Sequence, residues 1–172
     1  MFPLLLAACG QEPEETPYGS LQEVKDYLLT VRPFVEEISM IQQQYEQGLA
    51  SAGSGSELRK GTGRNLAEAA VAIRPRLQNV IEEFEKVEPP PLLAPFHRDM
   101  KRLMTARLDA YGSTISGWEA QESGAGDFQA MYRRAETELE RANTLILQLN
   151  GEMQKISEAA ERAQEAEGQA SS

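Results

Sequence analysis

An unbroken apolar repeat between Phe128 and Ala163 constrains the fold of this chain more than any other feature. Apolar residues recur there at alternating spacings of four and three, the heptad pattern of one long amphipathic helix. Such a helix cannot bury its apolar face alone, so other helices must cover it. At roughly 55 Å it is also too long for a compact mixed fold of this size. The repeat consists of Phe128, Tyr132, Ala135, Leu139, Ala142, Ile146, Leu149, Met153, Ile156, Ala160 and Ala163.

A similar repeat predicts the first helix, which opens at a capping box formed by Ser20 and Glu23. Pro33 lies inside this repeat, where a proline removes one backbone hydrogen bond and bends the helix. Gln42 is the only polar residue of the repeat. Its members are Leu21, Val24, Leu28, Val31, Val35, Ile38, Gln42, Tyr45 and Leu49.

The second helix is predicted from about Arg64 to Val87, with a start as early as Glu57, and it contains Pro75. A hairpin folded about Ser54 would place Pro33 and Pro75 at the same level, so we expect the two bends to accommodate each other. The apolar residues of this helix are Leu66, Ala70, Ile73, Leu77, Val80, Phe84 and Val87.

A proline-rich crossover at residues 88–95 precedes the third helix, and a glycine-rich turn leads to Asp127, which caps the fourth. Folding about residue 123 sets large apolar residues of the third helix against small ones of the fourth. We therefore predict an all-α fold: an antiparallel up-down-up-down four-helix bundle with kinked first and second helices. Both termini would lie at one end, and the two glycine-rich loops at the other.

The composition excludes several classes of function. The chain has 172 residues and a net charge of −10, which argues against nucleic acid as a partner. No apolar run approaches the ~20 residues of a membrane-spanning helix. With one cysteine the chain cannot form an internal disulfide.

The start of the chain carries the clearest motif. Leu6-Ala7-Ala8-Cys9 follows an apolar run, contains the only cysteine of the chain, and precedes a polar segment rich in proline. It resembles the lipobox of bacterial lipoproteins, in which the cysteine is acylated and the precursor is cut before it. The resemblance implies lipidation of Cys9, attachment to a membrane, and a location in the bacterial cell envelope, on the periplasmic side of a membrane or at the cell surface.

This resemblance divides the chain into four parts. Residues 1–8 would be a truncated lipoprotein signal peptide, 9–19 a lipidated tether, 20–167 the four-helix bundle, and 168–172 a disordered tail. No basic residue precedes Cys9, although a signal peptide normally has a basic start, so we expect translation to begin upstream. The stretch from Pro91 through His97 also resembles a type of small helical bacterial lipoprotein, which implies fold and location but no activity.

His97, Met100 and Met104 raise the question of a haem or copper site. Both methionines occupy positions where the helix needs apolar residues, and the histidine is expected at the surface, so we predict no metal or cofactor. The acidic run at residues 82–85 cannot form a di-iron site with a single histidine. We find no catalytic motif and predict that the protein is not an enzyme.

One basic cluster, made of Arg59, Lys60 and Arg64, stands out against the acidic chain and is the candidate contact with a partner. Trp118 and Phe128 flank the other loop, where they would close the end of the core or form a docking patch. We expect a non-enzymatic envelope lipoprotein that acts as a structural or protein-interaction module through contact with another envelope protein. The alternative is a sensory four-helix bundle that binds a small ligand near Gln42, or near His97 and Met100.

Overall fold

The computed structural model describes residues 15–50 and 58–170. Four long helices make up almost all of this part: α1 Leu21–Ala50, α2 Leu58–Phe84, α3 Ala94–Ser123 and α4 Phe128–Ala170. Two short antiparallel strands, β1 Glu15–Thr16 and β2 Gly19–Ser20, precede α1, and a 3₁₀ turn at Pro91–Leu93 precedes α3. The fold is therefore all-α, as the sequence predicts.

Each helix packs mainly against the next one along the chain. The α1–α2 pair is antiparallel, because Phe34 contacts Phe84 whereas Glu37, further along α1, bonds Arg76, which lies earlier in α2. The α3–α4 pair has the most extensive interface, and α1 touches α4 at far fewer positions. The predicted up-down four-helix bundle is confirmed, with one seam, between α1 and α4, that is only loosely closed.

The predicted helix starts are present with their capping hydrogen bonds. The backbone N–H of Ser20 donates to Glu23 at 3.1 Å, and the N–H of Glu23 donates to the Ser20 hydroxyl at 3.3 Å. The Ser20 hydroxyl also donates to the Glu23 carboxylate at 2.7 Å, and this bond, followed by the one from the Ser20 backbone, lowers the pKa of the Glu23 carboxyl. At α4 the N–H of Ala130 donates to Asp127 at 2.9 Å. Local side-chain chemistry thus sets where both helices begin.

The level at which α1 faces α2 differs from the prediction. The ring centroids of Phe34 and Phe84 are 5.3 Å apart, and a Cβ on Gly48 would lie 2.7 Å from the Cβ of Ala69. A hairpin centred on Ser54 would set Phe34 level with Arg74 and Glu37 level with Val71. The observed partners, Phe84 and Arg76, lie five to ten residues further along α2. Close packing at Gly48 and the contact between the two phenylalanines determine the register of α1 against α2. The midpoint of the loop does not determine it.

This register separates the two prolines. Pro33 and Pro75 both lie inside continuous helices and are both exposed, but they are offset by roughly two helical turns, about 10 Å. The expectation that they share one level is wrong. We now expect Pro33→Ala and Pro75→Ala to change the free energy of unfolding additively, within about 0.5 kcal/mol. Urea unfolding of the single and double variants measures this, and a larger coupling would contradict the observed register.

The described structure continues beyond both predicted sequence limits of the bundle, residues 20 and 167. Part of the segment predicted as a tether forms the β1–β2 hairpin, in which Thr16 is buried and its hydroxyl donates to the carbonyl of Gly19 at 2.8 Å. The β1 strand contacts α4, and β2 contacts the start of α1. Towards the end of the sequence, α4 continues to Ala170, although the sequence predicts a disordered tail from residue 168. Both additions lie at the end of the bundle that holds the start of α1, called the lower end below.

Candidate functional site: the open seam between α1 and α4

The structure describes only some of the residues that the sequence singles out. Cys9 lies outside the described residues, and of Arg59 and Lys60 only the backbone, within α2, is described. Arg64 is exposed, lies 3.9 Å from Glu68, and places its guanidinium 5.6 Å from the centre of the Trp118 ring. The basic cluster as a partner contact therefore stays a prediction.

Trp118 and Phe128 are both half-buried at the upper end of the bundle. A Cβ on Gly63 would lie 3.2 Å from the Trp118 ring, so α2 packs closely over this side chain. Phe128 meets Tyr132 edge to face, with 6.3 Å between ring centroids. These contacts favour the first of the two interpretations, in which the aromatic pair covers the end of the core.

His97 does not lie free at the surface, which corrects the expectation from the sequence. Its ring stacks on Phe84, with centroids 4.1 Å apart and planes 11° from parallel. Its Nδ1 lies 3.2 Å from the hydroxyl of Tyr27. Burial, and secondarily the charge of Lys101, lower the pKa of His97. The histidine therefore belongs to an aromatic cluster that joins α1, α2 and α3.

The lowered pKa of His97 predicts a loss of stability in mild acid. The unfolded chain takes up the proton first as the pH falls through about 6.5, so the free energy of unfolding should decrease below that pH. Protonation would also make Nδ1 a donor, and it could then no longer accept from Tyr27. Between pH 7.5 and 5.5, the free energy of unfolding measured in urea should decrease less for His97→Phe than for the unmodified protein. An equal decrease in the two proteins would contradict the prediction.

A buried arginine at the centre of the bundle is the main feature that the sequence reading missed. Arg107 on α3 is 2% exposed, and its guanidinium donates to the Gln42 side-chain oxygen on α1 at 2.7 Å. Its Nε is buried and has no hydrogen-bond partner among the described residues. The signal was present, because the buried series on α3 keeps spacings of four and three: Phe96, Met100, Leu103, Arg107, Ala110, Thr114 and Gly117.

Gln42, the one polar residue in the apolar repeat of α1, connects this arginine to an acid. Its amide nitrogen donates to Glu46 at 2.7 Å, while its oxygen accepts from Arg107. Nearby, the hydroxyls of Tyr45 and Thr114 lie 3.0 Å apart. Burial raises the pKa of Tyr111, against the opposing effect of Arg107. A layer of polar groups therefore crosses the middle of an otherwise apolar core.

Two cavities lie one above the other along the seam between α1 and α4, and a third, nearer the upper end, is lined by residues of all four helices. The lower one, of about 200 Å³, is bordered by Leu28 and Ser157, and the middle one, of about 190 Å³, by Gln42 and Ile146. The upper one is the largest, at about 640 Å³. Its lining consists of Tyr45, Gly63, Leu66, Thr114, Tyr132, Ala135, Glu136, Leu139, Glu140 and Asn143.

The open seam explains why several residues of the predicted apolar repeats on α1 and α4 are incompletely buried. On α4 most residues of the repeat that line the cavities are half-buried, whereas Ala142, Ile156 and Ala160, which line none of the three, are buried. On α1, Val35 borders two of the cavities and is 38% exposed. The half-buried residues on the two sides are Leu28 and Gln42 on α1, and Leu139, Ile146 and Met153 on α4.

No three His, Cys, Asp or Glu side chains in residues 15–50 and 58–170 come together as a metal site would require. None of the helices in this part of the chain combines the length and apolar character that crossing a membrane demands.

Comparison with protein-family models, with curated proteins and with solved structures finds no match to this chain.

Proposed function

We propose that this protein is a lipid-anchored, non-enzymatic lipoprotein of the bacterial envelope that acts as a structural or protein-interaction module. The observation that carries the proposal is Leu6-Ala7-Ala8-Cys9, which holds the only cysteine of the chain. The contact of β1 with α4 supports it, because it brings the chain that leads back to Cys9 to the lower end of the bundle. Anchored there, the bundle would present its upper loops away from the membrane.

Acylation of Cys9 is tested by phase partitioning. Produced in a bacterium from its full upstream sequence, the protein should enter the detergent-rich phase, because two or more acyl chains give stable anchoring. Cys9→Ser should move it to the aqueous phase, whereas Gln11→Ala, two residues away, should leave it in the detergent. Equal partitioning of Cys9→Ser and the unmodified protein would exclude the lipoprotein function.

A second candidate function, the binding of a small ligand between the helices, is favoured by the upper cavity. Its volume of about 640 Å³ falls within the usual range for ligand sites, and Tyr45, Thr114 and Glu136 supply polar groups along its wall. Native mass spectrometry of protein isolated from its own envelope should then detect a bound small molecule. Leu139→Trp, which fills the cavity, should remove it.

A further inference from the structure

The lower and middle cavities adjoin each other, because Val35 and Met153 border both, and the two together are called the lower groove below. We infer that this lower groove holds one of the acyl chains attached to Cys9. The inference rests on the proposed lipidation and adds to it a place on the protein itself for the lipid.

The shape of the lower groove suits a long aliphatic chain. It runs from Leu28 to Gln42 along α1, a length of about 21 Å at the rise of an α-helix. Its walls are α1 and α4, and side chains of α3 form its floor. The floor consists of Phe96, Met100 and Leu103.

The lining of the lower groove selects a neutral, apolar occupant. Charged residues make up 26% of the chain, yet the middle cavity has no charged residue among its described lining. The lower cavity has one, Arg32, whose Nε already donates to Glu36 at 2.8 Å. An acidic or basic peptide would find no partner for its charges here, whereas an acyl chain requires none.

The position of the β1–β2 hairpin puts Cys9 within reach of the groove. Cys9 precedes Glu15 by six residues, which can span about 20 Å. The hairpin contacts α4 and the start of α1, and Leu21 is separated from Leu28 by about 10 Å of helix. The tether is therefore long enough to deliver an acyl chain to the lower end of the groove.

The groove and the bilayer would compete for the acyl chain with similar free energies per methylene group. Both remove methylene groups from water, and the gain per methylene is set by the apolar area buried. One acyl chain can therefore exchange between membrane and groove while the others keep the protein anchored.

The groove is tested first with the full chain carrying Cys9→Ser and cis-parinaric acid, a fluorescent C18 probe. We expect one probe molecule to bind per protein. Met153→Glu, which puts a charge in the groove, and Val35→Trp, which fills it, should each weaken binding at least tenfold. Leu147→Glu is the matched control, because Leu147 lies on the same helix and is 74% exposed, and it should change affinity less than twofold. Absence of binding, or equal effects of all three variants, would overturn the inference.

The source of the occupant is tested with lipidated protein in intact membranes. Cells fed a diazirine fatty acid should yield, after irradiation, a crosslink between the acyl chain on Cys9 and the peptide that contains Met153. Coexpressed heavy and light copies should give crosslinks within one copy only. Crosslinks between a heavy and a light copy would mean that the groove holds the acyl chain of a second copy. Crosslinks to other lipids only would mean that it does not hold the acyl chain on Cys9. Either result overturns the inference.

The two tests separate this inference from the proposed function. If Cys9→Ser leaves partitioning unchanged, the lipoprotein function fails, although the unlipidated protein can still bind the probe. If partitioning is lost as expected and the probe does not bind, only the inference about the groove fails.

Discussion

Replacing Phe84 with alanine is expected to lower the free energy of unfolding by about 3–5 kcal/mol. Phe84 is fully buried, meets Phe34 edge to face, and stacks against His97. It thereby links three helices at once. Truncation would remove the burial of the ring, leave a cavity beneath α1, and deprive His97 of its stacking partner.

Urea unfolding followed by circular dichroism measures this loss. Leu29→Ala is the matched control, because Leu29 is 66% exposed and its truncation should change stability by less than about 0.5 kcal/mol. Similar effects of the two substitutions would mean that the aromatic cluster around Phe84 does not form the core of this end of the bundle.

The second large effect is expected at Arg107. Gln42→Leu should cost about 2–3 kcal/mol, because it removes the described hydrogen-bond acceptor of a buried guanidinium that stays charged. Arg107→Met should be neutral or should stabilise the protein by about 1–4 kcal/mol, since a thioether of similar length needs no polar partner. The arginine would then contribute specificity of packing rather than stability.

A double-mutant cycle separates these contributions. Once Arg107 is replaced by methionine, Gln42→Leu should lose most of its cost, which corresponds to a coupling of roughly 0.5–3 kcal/mol. If Arg107→Met is as destabilising as Phe84→Ala, the arginine stabilises the core directly and this interpretation is wrong.

The fold class could be predicted because the apolar repeats extend over whole helices. Heptad spacing depends only on the geometry of one helix, and the capping residues Ser20 and Asp127 act on their own helix ends. The register of α1 against α2 depends instead on contacts between distant residues. Phe34 with Phe84 and Gly48 with Ala69 decide it, and no local pattern specifies those pairs.

The candidate site was less predictable for a related reason. An apolar repeat marks residues that can be buried, but it does not tell whether a partner helix covers them. Leu28 and Met153 fit their repeats perfectly and still border an open groove. Arg107 continues the spacing of its buried neighbours, but a repeat defined by apolar residues alone does not include an arginine.

The sequential packing of the helices has a consequence for how the chain folds. Most interfaces join helices that are adjacent along the chain, so the residues that must meet are close in sequence. Such topologies fold quickly. The extensive α3–α4 hairpin can form first, with α2 and then α1 adding to it. We expect the pairing of α1 with α4, the most distant in sequence, to form last. It is therefore the part expected to open transiently in the native state, exchanging its amide protons faster than the α3–α4 interface.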